Sequence, residues 1–173
     1  MANVVLAFDP SVRNWGLAVA KLENSKLVII HTETIRKTSM NATKALQLIE
    51  VADATFARLS ELIAIYKPVA IITEIPLGSQ SANAMKSYAY VLTILGIIRA
   101  MGIPLKTISP YDVKHTVGNA NATKKEVIDW VAAKHPNLFP LNRNGSIGIG
   151  ANEHVADAIA VIYTHLSLRG IHP

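Results

Sequence analysis

The chain has 173 residues, of which 50% are hydrophobic, and a formal net charge of +5 at pH 7. This length and composition predict a single domain over residues 1–173 with one well-buried core. The chain contains no cysteine, which excludes disulfides and thiolate metal sites, so any metal must be held by oxygen or histidine.

The first part of the chain predicts three consecutive antiparallel strands. Val4–Phe8 is a continuous apolar run, and Asp9 and Pro10 form the turn that follows it. Gly16–Ala20 is a second apolar run, so the two runs predict a hairpin. Lys26–Ile35 is rich in β-branched residues and predicts a third strand beside the hairpin.

The middle of the chain alternates between long helical and short extended segments. Apolar residues recur at a spacing of three and four over Ala45–Tyr66, which predicts a helix that ends before Pro68. Val69–Thr73 predicts a short strand followed by Glu74. Asn83–Met101 predicts a second long helix.

No segment of the sequence predicts a membrane anchor. Met1–Asp9 lacks the charged and then apolar order of a signal peptide. The most apolar stretch, 87–98, ends at Arg99, well short of the ~20 residues that span a bilayer. We therefore expect a soluble, cytoplasmic protein without a membrane partner, in a bacterial cell or in a host cell if the source is viral.

Helix start signals are clear in the last part of the chain. Leu105–Ile108 predicts a short strand, and residues 110–114 predict a small helical turn opened by proline. Thr123 and Glu126 have the spacing of a capping box, which predicts a helix through Lys134.

The final helix and the order of elements complete the predicted fold. A Gly- and Asn-rich loop over 136–150 precedes Asn152, which we expect to cap a helix to about Leu168. Strand–helix–strand units run parallel under the right-handed crossover rule. The sequence therefore predicts an α/β fold with a five-stranded mixed sheet flanked by helices.

Two carboxylates follow predicted strands. Asp9 and Glu74 each stand at the end of a strand, where open α/β sheets place their ligand groups. If the two strands are parallel neighbours, the carboxylates lie close together and repel unless a divalent cation sits between them. The alternative for Asp9 is a turn-forming residue before Pro10.

A third carboxylate lies in the last helix. Asp157 is flanked by apolar residues, and a buried face does not accept an unpaired carboxylate without cost. His154 and Glu153 can share its face of the helix. The alternatives are a His–Asp hydrogen bond that steadies the helix start, and a glutamate that interacts with the helix dipole.

Four segments of the chain together resemble the successive signatures of RuvC-type Holliday junction resolvases. They occur in the order of that family and cover nearly the whole chain: 7–16, 72–74, 113–118 with 122–125, and 154–160.

The resemblance implies a ribonuclease H-like fold and a homodimer that cuts branched DNA with Mg²⁺ or Mn²⁺, two ions per active site. It implies that Asp9, Glu74 and Asp157 are metal ligands. His154 falls where many members have a fourth carboxylate and others have histidine, and it would be a softer ligand or a proton carrier. Two ions would activate water and stabilise the departing oxygen.

The resemblance also implies residues that meet DNA. Lys114 and Lys124 align with lysines near the scissile phosphate, although solvated surface charges are the commoner fate of lysine. Arg13 and Lys125 are assigned to DNA binding with them. Leu77 stands in the loop where more familiar resolvases carry an aromatic wedge, and it would be an apolar substitute.

A dedicated ribonuclease H is one alternative to a resolvase, and by resemblance the lysine segment 113–125 and the His-x-x-Asp of the last helix favour the resolvase. Two other classes of protein compete with a nuclease. A catalytically silent ribonuclease H-like protein would bind nucleic acid or a protein partner, but it would be expected to have lost acidic residues. An actin-like or sugar-kinase-like phosphotransferase needs a second similar domain, for which the chain is too short. For the resolvase, the apolar helix Asn83–Met101 predicts the homodimer interface.

Overall fold

The computed structural model describes residues 3–36, 38–39, 43–75 and 81–173. In these residues the chain forms a five-stranded sheet and five helices. The strands are β1 (Val4–Pro10), β2 (Asn14–Glu23), β3 (Lys26–Arg36), β4 (Ala70–Glu74) and β5 (Leu105–Ile108). The helices are α1 (Lys44–Tyr66), α2 (Ala82–Ala100), α3 (Pro110–Val117), α4 (Lys124–Lys134) and α5 (Ile149–Ser167).

The sheet has the order β3-β2-β1-β4-β5. The first three strands are antiparallel, while β4 runs parallel to β1 and β5 runs parallel to β4. The predicted mixed sheet is therefore confirmed. In the parallel pair Phe8 lies opposite Thr73, so Asp9 and Glu74 are the next residues on neighbouring strands.

Helices cover both faces of the sheet. On one face α1 and α2 pack over Leu6, Phe8 and other large side chains of the strands. On the other face α3, α4 and α5 pack over smaller ones, among them Ala7, Ala18 and Ala20. Small residues under α5 allow its axis to approach the sheet closely, because no long side chain separates the two.

The capping residues define the ends of the short helices. Ser109 accepts a hydrogen bond from the backbone of Asp112 at the start of α3, and Gly118 ends this helix with φ of 109°. The predicted capping box of Thr123 and Glu126 is present at the start of α4. Asp112 in the first turn of α3 also complements the helix dipole.

The last helix begins earlier than the sequence predicts. Its N-cap is Gly148, and Asn152 lies inside the first turns of α5 instead of capping it. The side-chain amide of Asn152 donates to the carbonyl oxygen of Gly148 at 2.9 Å, so it reaches back to the preceding loop. The prediction of Asn152 as the cap was therefore wrong, because the chain takes its extended capping conformation four residues earlier.

None of the helices in the described part of the chain is long and apolar enough to cross a membrane.

Candidate active site at the carboxyl edge of the sheet

The two strand-end carboxylates lie on the face of the sheet that α5 covers. Side chains alternate between faces along a strand. Ala7 and Ile72 belong to the core beneath α5, so Asp9 and Glu74, two residues further along, point to the same side. Both are half-buried.

Helix α5 brings two more ionisable groups to this edge. It packs across all five strands and carries His154 and Asp157, both half-buried. Nδ1 of His154 lies 2.8 Å from Oδ2 of Asp9, within hydrogen-bond distance, although 145 positions separate the two residues in the chain. The close packing of the last helix on the first strand therefore brings the site together.

A glycine allows α5 to lie so close. Gly16 lies opposite Asp9 in the β1–β2 pair. A Cβ atom at Gly16 would be 1.9 Å from the carbonyl oxygen of His154 and 2.6 Å from the Cβ of His154. The backbone of α5 occupies the space that any side chain at this position would need.

Two of the carboxyl groups have strongly raised pKa values. Burial, followed by repulsion from the charges of Asp9 and Asp157, raises the pKa of Glu74 to about 7. Burial and the charge of Asp9 raise the pKa of Asp157 to about 7, and His154 partly opposes this shift. The side chains present therefore supply too little positive charge for all three carboxylates to be ionised without cost.

The hydrogen bond to Asp9 raises the pKa of His154, while burial acts in the opposite direction. Its second ring nitrogen, Nε2, lies 3.4 Å from Oε1 of Glu153. Both ring nitrogens therefore face a carboxylate, an arrangement that favours the protonated imidazolium.

The donor set fits a hard divalent cation in chemical type. Asp9, Glu74 and Asp157 are carboxylates, which Mg²⁺ prefers, and the raised pKa values of two of them indicate a need for added positive charge. In the described residues, however, no three acidic or histidine side chains are grouped as a formed metal site.

Glu153 belongs to the same group of side chains, although the sequence interpretation assigned it to the helix dipole. That interpretation was wrong, because α5 begins at Ile149 and Glu153 lies beyond its first turn. Its Oε2 lies 3.0 Å from Nζ of Lys124, and its side chain is only 16% exposed. The His-x-x-Asp spacing gave no signal for this residue, because the contact depends on where α4 packs.

The predicted DNA-binding residues that the structure describes lie in different environments. Lys114 is exposed on α3 and lowers the pKa of Glu74 by its charge. Lys124 is exposed at the start of α4 and pairs with Glu153, while Lys125 pairs with Asp129 on its own helix. Arg13 is exposed in the turn between β1 and β2. Leu77 lies outside the described residues.

Comparisons with known proteins relate the whole chain to one family. The model of the family described as crossover junction endodeoxyribonuclease RuvC matches residues 5–165. The protein of that name from Rickettsia typhi is 28% identical over 164 residues, which are 94% of this chain and 96% of the relative. The one from Sorangium cellulosum is 28% identical over 173 residues, with 96% of this chain and 86% of the relative covered.

Solved structures share the fold at low sequence identity. The RuvC structure from T. thermophilus in complex with a Holliday junction substrate superposes with a TM-score of 0.74 at 22% identity, covering 96% of this chain and 94% of that one. The yeast mitochondrial Holliday junction resolvase gives a TM-score of 0.62 at 16% identity, covering 92% and 76%. The predicted ribonuclease H-like fold is thereby confirmed.

Proposed function

The chain belongs to the crossover junction endodeoxyribonuclease RuvC family, and we propose that it resolves Holliday junctions by hydrolysing phosphodiester bonds in paired nicks. The observation that carries this proposal is the convergence of Asp9, Glu74 and Asp157 on one edge of the sheet, with His154 against Asp9. Three carboxylates at the carboxyl ends of strands and on a facing helix suit cation-assisted cleavage of phosphate esters.

Two divalent cations, Mg²⁺ or Mn²⁺, would be held by Asp9, Glu74 and Asp157, with His154 as a fourth ligand or a proton carrier. When bound, such ions supply positive charge to the scissile phosphate and acidify a water molecule. Because Glu74 and Asp157 repel each other and Asp9, a bound cation would stabilise their ionised forms together. As a ligand, His154 would have to give up a carboxylate neighbour, since both of its ring nitrogens face one.

The basic residues around the site would bind the DNA backbone. Lys114 and Lys124 stand on α3 and α4, and Arg13 stands in the turn between β1 and β2. Ammonium and guanidinium groups bind phosphate oxygens without reading the base sequence. Lys125 is held by Asp129 and would contribute to DNA binding only after leaving that partner. The net charge of +5 suits a polyanionic substrate.

We propose further that the protein is a homodimer through α2. Val91, Leu95 and Ile98 of this helix are buried in the core of the chain itself. The exposed apolar side chains of this helix include Met85 and Leu92, which are 49% and 38% exposed. These two lie two turns apart, on one side of α2. A two-fold dimer would present two sites to a near-two-fold junction.

A cleavage assay with defined substrates tests the proposed function. Four-way junctions, flaps, linear duplex and RNA–DNA hybrid would be compared with Mg²⁺, Mn²⁺ and chelator, using wild type and Asp9→Asn. We expect paired nicks on the four-way junction with either metal, and no cutting with chelator. Asp9→Asn should still bind the junction but not cut it, because the carboxylate holds metal and does not contact bases. Substantial Mg²⁺-dependent cutting by this variant would contradict the proposal.

The second candidate, a catalytically silent member that binds branched DNA, would bind the junction without cutting it under any metal condition. The presence of all three acidic residues disfavours it. A phosphotransferase of the actin or sugar-kinase type is disfavoured by the family match over residues 5–165.

A further inference from the structure

The side chain of Glu153 joins two helices at the edge of the site. It stands on α5, and its two carboxylate oxygens face different groups. Oε2 lies 3.0 Å from Nζ of Lys124 on α4, and Oε1 lies 3.4 Å from Nε2 of His154. The carboxylate is 16% exposed, whereas the side chain of Lys124 is 66% exposed. The fixed member of the pair is therefore the glutamate, and the mobile member is the lysine.

We propose that Glu153 is a positioning residue that holds Lys124 beside the active site in the free protein and yields it to a DNA phosphate on binding. The inference rests on the proposed function, in which Lys124 meets the substrate backbone. A lysine side chain has a flexible four-carbon stem, so it loses much conformational entropy when it is ordered. The contact with Glu153 orders it in advance, within reach of the site.

The exchange is feasible because the ion pair is largely open to water on the lysine side. Exposed pairs of this kind contribute little to stability and are screened by salt. A phosphate oxygen offers the same type of charge-assisted hydrogen bond as the carboxylate. Lys124 can therefore move from Glu153 to the phosphate without a large barrier, and Glu153 keeps its contact with His154.

Glu153 should oppose tight binding of DNA and favour fast cleavage. Its negative charge must give up Lys124 when the junction binds, and it then repels the phosphate. Replacing Glu153 with glutamine removes the ion pair that must break and the charge that repels the phosphate. It also leaves Lys124 disordered and gives the ring of His154 a neutral amide in place of a carboxylate. We expect Glu153→Gln to bind a four-way junction about 3- to 10-fold more tightly and to turn over more slowly, so that KM and kcat fall together.

A double-mutant cycle with Lys124→Ala tests whether the effect passes through this lysine. Junction binding is measured in chelator, so this readout does not depend on cleavage. We expect most of the tighter binding caused by Glu153→Gln to disappear in the Lys124→Ala background. Asp129→Asn is the matched control, because it frees Lys125 on the same helix from a partner that does not touch the site. It should leave kcat unchanged and show no coupling to Lys124→Ala.

Two results would overturn the proposal. One is Glu153→Gln with unchanged junction affinity, and the other is a gain in affinity that is the same with and without Lys124. If Glu153→Gln does not fold, as judged by its melting temperature, Glu153→Asp replaces it, since the shorter carboxylate keeps the charge but cannot reach both partners. Glu153→Asp should then lower kcat, and an unchanged kcat would refute the positioning role. If wild type fails to cut, the proposed function is refuted. The double-mutant cycle still tests the role of Glu153, because it measures junction binding in chelator.

Discussion

Gly16→Ala should displace helix α5 from the sheet and so distort the active site, although it adds only a single methyl group. Gly16 lies opposite Asp9 in the sheet, and an added Cβ would be 1.9 Å from the carbonyl oxygen of His154. The shortest separation that real Cβ atoms adopt is 3.0 Å. Strand β2 and helix α5 must therefore part by about 1 Å, since the two nearest atoms, the carbonyl oxygen and carbonyl carbon of His154, belong to the helix backbone and cannot rotate away.

The size of the effect follows from this displacement. Overpacking of a well-filled core costs about 1–3 kcal/mol, and the loss of backbone freedom in the unfolded chain returns only about 0.4–1 kcal/mol. The cost of the clash therefore exceeds the gain, and the variant should be less stable than wild type. We expect its melting temperature to fall by roughly 2–4 °C for each kcal/mol of lost stability in a chain of this size. The 2.8 Å contact between His154 and Asp9 should lengthen beyond hydrogen-bond range. Misplacement by 1 Å can cost about 100-fold in rate.

The assay compares the single-turnover cleavage rate, junction affinity in chelator and the melting temperature of each variant. Gly150→Ala is the control, because it makes the same substitution in α5 where an added Cβ meets nothing within 4 Å. We expect Gly16→Ala to lose about 100-fold in rate while its junction affinity stays close to that of wild type, and Gly150→Ala to keep both. A Gly16→Ala protein that is folded and cuts at the wild-type rate would refute the close approach of α5 as the cause of site assembly.

Three further predictions concern stability, DNA contacts and assembly. Because the folded protein raises the pKa values of Glu74 and Asp157 to about 7 from ordinary values of 4.5 and 3.8, the unfolded chain releases these protons first. The free energy of unfolding should therefore fall as pH rises from about 4 to about 7. Mg²⁺ should restore stability above pH 7 in denaturant melts, and a flat pH profile would contradict this reasoning. Lys114→Ala should lower the log–log salt slope of junction binding by about 0.9, and unchanged binding and turnover would return Lys114 to a surface role. Leu92→Glu should give a monomer in sedimentation experiments at micromolar concentration, whereas a monomeric wild type would rule out the α2 dimer.

The sequence predicts the sheet and the strand-end positions of Asp9 and Glu74 because the signals are local or follow a strict rule. Apolar runs bounded by turns mark the strands, and the crossover rule makes strand–helix–strand units parallel. The adjacency of β1 and β4, which the sequence left as a condition, is what brings Asp9 and Glu74 to one edge. The capping box of Thr123 and Glu126 is likewise readable, because both partners lie within four residues.

Other parts of the site depend on tertiary packing, which the local pattern does not contain. The start of α5 was misplaced because Asn152 is as good a cap in sequence as the Gly148 that is used. The contact of Glu153 with Lys124 follows from how α4 lies against α5. The role of Gly16 appears only when the distance to the backbone of His154 is known. For α2, apolar residues all round the helix do not indicate which side the core takes.

The separation of 145 positions between Asp9 and His154 has a consequence for the synthesis of a nuclease. A growing chain leaves the ribosome with its first strands long before α5 has been made, because synthesis proceeds from the N-terminus. Contacts so distant in sequence also form late, because their loop-closure entropy must be overcome first. Until α5 docks, the sheet carries two carboxylates but neither Asp157 nor His154. We therefore expect an unfinished chain to lack nuclease activity, because two of the residues proposed for the site are still missing.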